Sequence, residues 1–242
     1  MERGRRRARS SGSGRLVTTV VVAVVLVVAA AFGPIDVDEL RDILLGSGEQ
    51  GTVQGAGDPS EARDELRNLK VAPPGSMAGY SREKFPHWSD AEEFGWDVQD
   101  TSCDARDAAL IRDGKNVHVG EGCDVTSGEW LDPYTGRTYT DPAEIDIDHV
   151  VPLANAWRSG ASSWGEARRE QYANDQQVLL SAEDNANQEK GDKGPEAWKP
   201  PNRTIWCDYA IRWVDIKASY HLSVNQQEKA ALEQMLGTCK GG

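Results

Sequence analysis

The sequence predicts an α+β domain built around two short strands and the helix that follows them. In residues 145–150 apolar side chains alternate with polar ones, which is typical of a strand with one buried face. A second apolar run covers residues 178–181, and the polar segment 185–193 after it has the character of a short helix. Apolar residues then recur at helical spacing from residue 205 to 239, which predicts two amphipathic helices whose aromatic side chains belong to the core.

The chain begins with a basic segment and an apolar one. Residues 1–15 contain six arginines and one acid, and residues 16–33 are almost entirely apolar. This order is typical of a signal peptide or a membrane anchor, and it predicts that residues 1–15 are cytoplasmic and the body lies outside the cytoplasm. The apolar run is near the lower length limit for crossing a bilayer, and small residues at 29–31 offer a cleavage site. Secretion and retention at the membrane both stay open.

Residues 34–76 are expected to form a linker or stalk. Gly, Ser and Pro are frequent there, with breakers at 55–59 and 73–75. A short helix capped by Ser60 fits the pattern, but it is polar and isolated in the sequence. The folded domain is therefore expected to span residues 77–242.

Caps and turns predict the remaining elements of this domain. Ser102 is the expected cap of a helix over residues 103–113 that ends at Gly114. The turn-forming segment 132–136 predicts a hairpin over residues 130–140. Further helices are expected over residues 153–159, over residues 163–172, and from a capping box of Ser223 and Gln226 to Gly237.

Four cysteines in an exported chain predict two structural disulfides. The expected pairs are neighbours in sequence, Cys103 with Cys123 and Cys207 with Cys239. Zinc binding is the alternative, but the chain has no C-x2-C spacing and its four histidines are scattered.

An acid and an imidazole lie side by side at the end of the first predicted strand. Adjacent strand residues point to opposite faces, so Asp148 and His149 can meet at one centre only if the strand twists or ends there. Asn187 and Lys190 lie three apart, on one face of the predicted helix. These four groups suit metal-assisted hydrolysis of a phosphodiester. A lone Asp-His pair is, however, more often a surface pair, and Asn187 and Lys190 also fit a solvated helix end.

The order strand, Asp-His, strand, helix is the ββα-metal arrangement. The motifs at residues 148–153, 172–175 and 187–193, with Trp157 and Trp198, resemble the secreted HNH endonuclease family. That family is related to the C-terminal domain of GmrSD-type restriction enzymes, and the similarity extends from about residue 79 to residue 239. Many relatives carry an Asn where this chain has Gln176-Gln177-Val178, so Asn174 or Gln177 replaces the middle residue of the motif, or its role is lost.

The resemblance implies a mechanism and a fold, an HNH (His-Me finger) core surrounded by helices and stapled by disulfides. His149 would be the general base, and Lys190 would contact a phosphate. Asp148 and Asn187 would bind one divalent cation, with Asp146 as a supplementary ligand or a solvent-facing strand residue. Mg²⁺ suits these oxygen donors best, and Mn²⁺ and Zn²⁺ are the alternatives.

Three further cations are candidates for binding the substrate. Arg168 and Arg169 belong to a predicted helix, and Lys193 follows the Asn187 helix. Solvated helix faces explain the same residues equally well. The other three histidines show no partner pattern and are assigned no role.

The charge balance is unusual for a protein that binds nucleic acid. The chain carries a net charge of −12, and leaving out the six arginines and one glutamate of residues 1–15 lowers it to −17. Nucleic-acid-binding proteins are usually basic on at least one face. We therefore expect a local basic patch within residues 158–203, or weak, strongly salt-sensitive cleavage, or a substrate other than DNA.

Taken together, the resemblance predicts a monomeric, metal-dependent endonuclease outside the cytoplasm, acting on DNA rather than RNA with low sequence specificity. If the apolar segment is not cleaved, the chain also contacts the membrane. The alternative is a cell-surface binding module that keeps the HNH scaffold without catalysis.

Overall fold

The computed structural model describes residues 57–239, and it has the predicted α+β fold. The strands are β1 (Lys115–Val119), β2 (Val125–Leu131), β3 (Thr138–Tyr139), β4 (Ile145–His149) and β5 (Leu179–Glu183). The helices are α1 (Pro59–Asn68), α2 (Ala105–Asp113), α3 (Leu153–Arg158), α4 (Glu166–Ala173), α5 (Asp184–Lys190), α6 (Trp206–Ser219) and α7 (Gln226–Leu236).

The predicted signal or anchor segment, residues 16–33, lies outside the described residues, as do residues 1–15 and the first part of the predicted linker, residues 34–56. Between residues 57 and 239, no helix combines the length and the apolar character needed to span a bilayer.

The strands form two antiparallel sheets. Strands β1, β2 and β3 follow one another in a three-stranded sheet, and β4 pairs with β5 in a separate ribbon. The predicted hairpin is the β2–β3 connection, where the Asp132 amide donates to the Arg137 carbonyl at 2.8 Å. In the ribbon Ile145 faces Glu183 and His149 faces Leu179.

The β4–β5 ribbon separates two hydrophobic clusters because alternate residues point to opposite faces. On one face Ile145, Ile147 and Leu179 pack with α2 and the first disulfide. On the other face Leu180 and Ala182 join the larger core formed by the remaining helices. Residues 146 and 148 share that second face, whereas residue 149 shares the first. The two adjacent candidate residues therefore start from opposite sides of the strand.

Helix α5 follows β5 without a loop. Its cap is Glu183, whose side chain accepts a hydrogen bond from the Ala186 amide at 2.7 Å. It ends at Gly191, which adopts φ +53°, a conformation that favours glycine. The predicted order of strand, strand and helix is present, with α5 packed against both strands.

The expectation that residues 34–76 are a linker is wrong for the part that is described. Helix α1 packs against α6 and α7, and Ala62 and Leu66, four residues apart on one side of the helix, are fully buried. Beyond the helix Val71 forms a parallel bridge with Val224. The sequence of α1 is mostly polar because its apolar side chains are confined to this narrow stripe. Its cap is Asp58, not Ser60, because the Asp58 carboxylate accepts from the amides of the first turn.

Two other predicted caps are displaced by two residues. Helix α2 is capped by Asp104, not Ser102, and α7 by Asn225, not Ser223. Each true cap has an acid three residues later that bonds back to the cap amide, which completes a capping box. Ser223 instead donates its hydroxyl to the Ser159 carbonyl at 3.1 Å.

Both disulfides join the expected sequence neighbours. Cys103 pairs with Cys123, and Cys207 pairs with Cys239, with Cα atoms 5.0 Å and 4.9 Å apart. The first joins the start of α2 to the start of β2, and the second joins α6 to the segment after α7. For loops of 20 and 32 residues, each bond is expected to stabilise the fold by about 3 to 4 kcal/mol.

The contact between α1 and α6 contains an acidic cluster that depends on pH. The pKa of Asp215 is raised to about 6, first because its carboxyl group is partly buried and then because Glu65 and Glu61 repel the ionised form. The raised pKa means that the native state binds this proton more tightly than the unfolded chain. The stabilisation is present at low pH and is lost as the pH rises through 6.

Replacing Asp215 with Asn should therefore stabilise the protein at pH 8 by about 1 kcal/mol, after allowance for solvent screening. The gain should shrink as the pH falls towards 4, and urea denaturation at both pH values measures it. The exposed Asp97→Asn exchange is the control for the loss of one negative charge. An equal gain from both variants, or a gain independent of pH, would contradict the prediction.

Candidate active site

A cavity of about 290 Å³ lies at the end of β4, between this strand, the start of α3 and α5. Its polar lining includes Asp148, His149 and Asn187, three of the residues selected from the sequence. The strand ends after His149, and this is how side chains from its two faces reach one cavity.

A backbone contact orients His149. Its Nε2 lies 3.0 Å from the carbonyl oxygen of Ala173, at the end of α4. A carbonyl only accepts, so Nε2 carries the hydrogen and the lone pair of the neutral ring is on Nδ1. The rings of Trp88 and His87 pack beside it, with centroids 6.0 Å and 6.4 Å away, and the side chain is 4% exposed.

The surroundings keep this imidazole neutral. Burial lowers the pKa of His149 to about 3, and the positive charge of Arg82 contributes next, while the bond to Ala173 acts in the opposite direction. The ring therefore stays neutral at pH 7, with its lone pair on Nδ1. This is the protonation state that a general base requires.

Asp148 lies at the inner end of the cavity in a buried hydrogen-bond network. Its carboxylate accepts from the hydroxyl of Tyr134 at 2.6 Å and from Lys190 Nζ at 2.8 Å. Burial and the neighbouring carboxylate raise the pKa of Tyr134 well above its usual value, so the phenol keeps its proton and donates. Tyr134 belongs to the β2–β3 turn, so this turn helps to hold the Asp148 carboxylate in place.

Lys190, which was expected to contact a phosphate, is buried beneath the cavity. Its side chain is 0% exposed, and Nζ donates to the Asp148 carboxylate and, at 3.1 Å, to the His149 carbonyl. Burial lowers the pKa of Lys190 and raises that of Asp148, and each charge opposes the shift of the other. Lys190 is therefore a buried counter-ion beneath the cavity, because α5 turns this position inward.

Asp146 and Asn187 form a second pair, closer to the surface. The Asn187 amide nitrogen donates to Asp146 at 3.0 Å, which leaves Asn187 Oδ1 available. Asp146 Oδ2 accepts this bond, and Asp146 is not among the cavity-lining residues, so the contact indicates that Asp146 orients the amide. Its role as a supplementary metal ligand stays a prediction.

The donor set fits a hard divalent cation. Over residues 57–239 no group of three or more His, Cys, Asp or Glu side chains is placed to hold a metal ion, which is the usual basis of a structural zinc site. The cavity offers oxygens from Asp148 and Asn187 instead. Mg²⁺ commonly binds through one or two carboxylates and keeps several waters, so these two oxygens suit it.

The three predicted substrate-binding cations do not line the cavity. Arg168 donates to the Tyr220 carbonyl at 3.0 Å and stacks on Trp164. Arg169 donates to the carbonyls of Lys84 and Trp164, and Lys193 donates to the Glu189 carbonyl. The contacts of Arg168 and Arg169 brace helix α4 against its neighbours.

Neither candidate for the middle HNH residue lines the cavity. Asn174 is buried, accepts from the Ser89 amide at 3.0 Å and donates to the Pro86 carbonyl at 3.0 Å. It thereby ties the segment carrying His87 and Trp88 to the end of α4. Gln177 lies in the turn before β5, and its backbone carbonyl accepts from Arg212.

Several residues of the site have no role predicted from the sequence. Tyr134 and Arg82 come from segments distant in sequence, and no spacing relates them to β4. Trp88, beside His149, has φ +63°, which is rare for a bulky side chain. No local pattern in the sequence predicts that backbone conformation.

Fold and site together define a class: an α+β domain whose strand–strand–helix unit presents an imidazole, a carboxylate and an amide to one cavity. The chain belongs to the family described as GmrSD restriction endonucleases, C-terminal domain, whose sequence model matches residues 105–235. This confirms the relation inferred from the motifs. The match contains β4, β5 and α5, whereas Arg82 and α1 lie outside it.

A relative supports the same grouping. An "Uncharacterized secreted protein" of Arthroderma benhamiae is 48% identical over 182 residues, which cover 74% of this chain and 85% of that protein. No solved structure matches the chain.

Proposed function

We propose that the chain is a metal-dependent endonuclease with a ββα-metal (HNH) core, hydrolysing phosphodiester bonds of nucleic acid. The observation that carries the proposal is the neutral His149, with its Nδ1 lone pair free, on a cavity shared with Asp148 and Asn187. The description of the family, restriction endonucleases, supports the choice of a nucleic acid as substrate.

In this mechanism His149 takes a proton from the water that attacks phosphorus. The Ala173 carbonyl holds Nε2–H, which keeps Nδ1 directed away from it and favours the imidazolium that forms. Asn174, next to Ala173, holds the segment 86–89 in place. It thereby positions the side chains of this segment that pack beside the His149 ring. Asn174 acts here as a positioning residue.

Asp148 and Asn187 would hold the cation, and Asp146 would keep the amide oxygen of Asn187 available for it. When bound, Mg²⁺, or Mn²⁺ or Zn²⁺ in its place, supplies Lewis-acid stabilisation of the charge that develops on the phosphate and the leaving oxygen. Tyr134 and Lys190 hold Asp148 in one orientation.

The protein is proposed to act outside the cytoplasm. Two disulfides are typical of oxidising compartments, and the relative from Arthroderma benhamiae is named as secreted. DNA as the preferred polymer, low sequence specificity and a monomeric state remain predictions, as does membrane contact through residues 16–33.

A non-catalytic binding module on the same scaffold is the second candidate. It is favoured by the burial of Lys190 and by the placement of Arg168, Arg169 and Lys193 away from the cavity. A net charge of −12 also weakens the attraction for nucleic acid.

Metal removal separates the two candidates. The purified chain should nick supercoiled plasmid in Mg²⁺ or Mn²⁺, EDTA should abolish nicking, and added metal should restore it. Because binding would depend on contacts between cationic side chains and phosphates, the rate should fall when salt rises from 50 to about 200 mM. Parallel assays on RNA and single-stranded DNA define the substrate. If no polymer is cleaved with Mg²⁺, Mn²⁺ or Zn²⁺, the endonuclease proposal fails and the binding module is favoured.

A further inference from the structure

We propose that Arg82 binds the scissile phosphate at the His149 cavity. The inference rests on the proposed function and deepens it, because it assigns the cation that recognises the substrate. Arg82 lies outside residues 105–235, the part of the chain that the family model matches.

Arg82 is the cavity's one cationic lining residue within the described part of the chain. It is exposed and forms no ion pair with a carboxylate in residues 57–239. The neighbouring Arg158, by contrast, is bound to the Asp192 carboxylate at 2.6 Å and to its carbonyl at 2.8 Å. An unpaired guanidinium with a planar set of donors is well suited to bidentate contact with a phosphate.

The segment that carries Arg82 is anchored on both sides. Arg82 begins a short 3-10 turn, Arg82–Lys84, that runs into Phe85. Phe85 is fully buried, and its ring packs on Trp157 and Tyr172, with centroids 6.3 Å and 6.2 Å away. Tyr80, just before the turn, packs on Trp157 at 5.8 Å. The exposed guanidinium therefore has a well-held backbone.

His87 orients the guanidinium. Its Nδ1 lies 2.8 Å from the Phe85 carbonyl, so Nδ1 donates and the Nε2 lone pair is directed elsewhere. Arg82 Nε lies 3.4 Å from that Nε2, a long hydrogen bond that leaves the two terminal nitrogens free for a ligand. His87 is a positioning residue in this arrangement.

Arg82 also lies close to the proposed base. Its Nε is 3.4 Å from Nε2 of His87, and the ring centroids of His87 and His149 are 6.4 Å apart. A phosphate held by Arg82 would thus lie beside the imidazole that activates water.

Two measurements on the full chain test the assignment. Arg82→Gln should lower the kcat/KM of plasmid nicking by about 100-fold, as expected when one strong donor to a developing oxyanion is lost. Arg82→Lys, which keeps the charge without the planar donors, should recover part of that loss. Lys84→Gln is the matched control, because it removes one positive charge two residues away from Arg82. The Lys84 side chain lies over the Trp157 ring.

Binding without catalysis is measured in EDTA with a fluorescent single-stranded oligonucleotide. The slope of log Kd against log salt should fall by about 0.7 in Arg82→Gln, corresponding to one lost phosphate contact, and should stay unchanged in Lys84→Gln. If the wild type is active and the two Gln variants behave alike in both assays, Arg82 is not the phosphate ligand although the endonuclease proposal stands. If the wild type cleaves nothing but the slope changes in Arg82→Gln alone, the anion site is real and the endonuclease proposal fails.

Discussion

Replacement of His149 by alanine should lower the kcat/KM of phosphodiester cleavage by about 10³-fold or more, the effect expected for loss of a general base. In residues 57–239 the ring has one hydrogen bond, which Nε2–H donates to the Ala173 carbonyl. No other imidazole in these residues lines the cavity, and His87 directs its lone pair at Arg82. Rates of plasmid nicking at saturating Mg²⁺ and pH 8 measure the loss.

His118→Ala is the matched control, because this histidine is exposed on the edge strand β1 and does not line the cavity. It should leave the rate unchanged. Circular dichroism and thermal melting must show that the His149 variant is folded, since its side chain is buried. A folded His149→Ala protein that keeps more than a tenth of the wild-type rate would remove His149 from its assigned role.

Replacement of Lys190 by methionine should destabilise the protein by about 3 to 5 kcal/mol, because it leaves the Asp148 carboxylate buried without its counter-ion. The shape of the side chain is nearly kept, so the loss reports charge and hydrogen bonding more than packing. Urea denaturation at pH 7 measures it. Tyr134 still donates to Asp148 in this variant and offsets only part of the cost.

The double variant Asp148→Asn with Lys190→Met should recover at least half of that loss, since neither buried charge then remains unpaired. Lys193→Met, three residues further along the chain and exposed, is the control and should change the stability by less than about 0.5 kcal/mol. A Lys190→Met protein as stable as the control would mean that the ammonium reaches solvent and that its burial has been misassigned. The recovered double variant should remain inactive, because Asp148 is also a proposed metal ligand.

The local part of the site was predictable because it depends on short-range geometry. Alternation over residues 145–150 locates β4, and a spacing of three places Asn187 and Lys190 on one side of α5. Both are properties of a regular backbone, so they require no knowledge of distant contacts. Helical spacing likewise predicts the aromatic stripe of α6, where Tyr209, Trp213 and Ile216 are all buried.

The direction of individual side chains was not predictable in this way. The spacing predicts that Asn187 and Lys190 share a side of α5. It does not predict that Lys190 is buried against Asp148 while Asn187 lines the cavity. The position of Arg168 and Arg169 near the motif predicts phosphate contact, yet both side chains donate to backbone carbonyls. The sequence places helix α1 in a linker, because its two buried residues can be recognised as core residues only from their packing against α6.

The sequence by itself determined the α+β class, the strand–strand–helix unit, the disulfide pairs and the identity of the groups at the strand end, because periodicity, caps and motif order are local or nearly local properties. The tertiary structure alone decided which nitrogen of His149 is free, that Lys190 is a counter-ion, and that Arg82 is the cation beside the cavity. These features arise where segments far apart in the chain pack together, and the packing, not the spacing, sets the burial and charge that each group experiences.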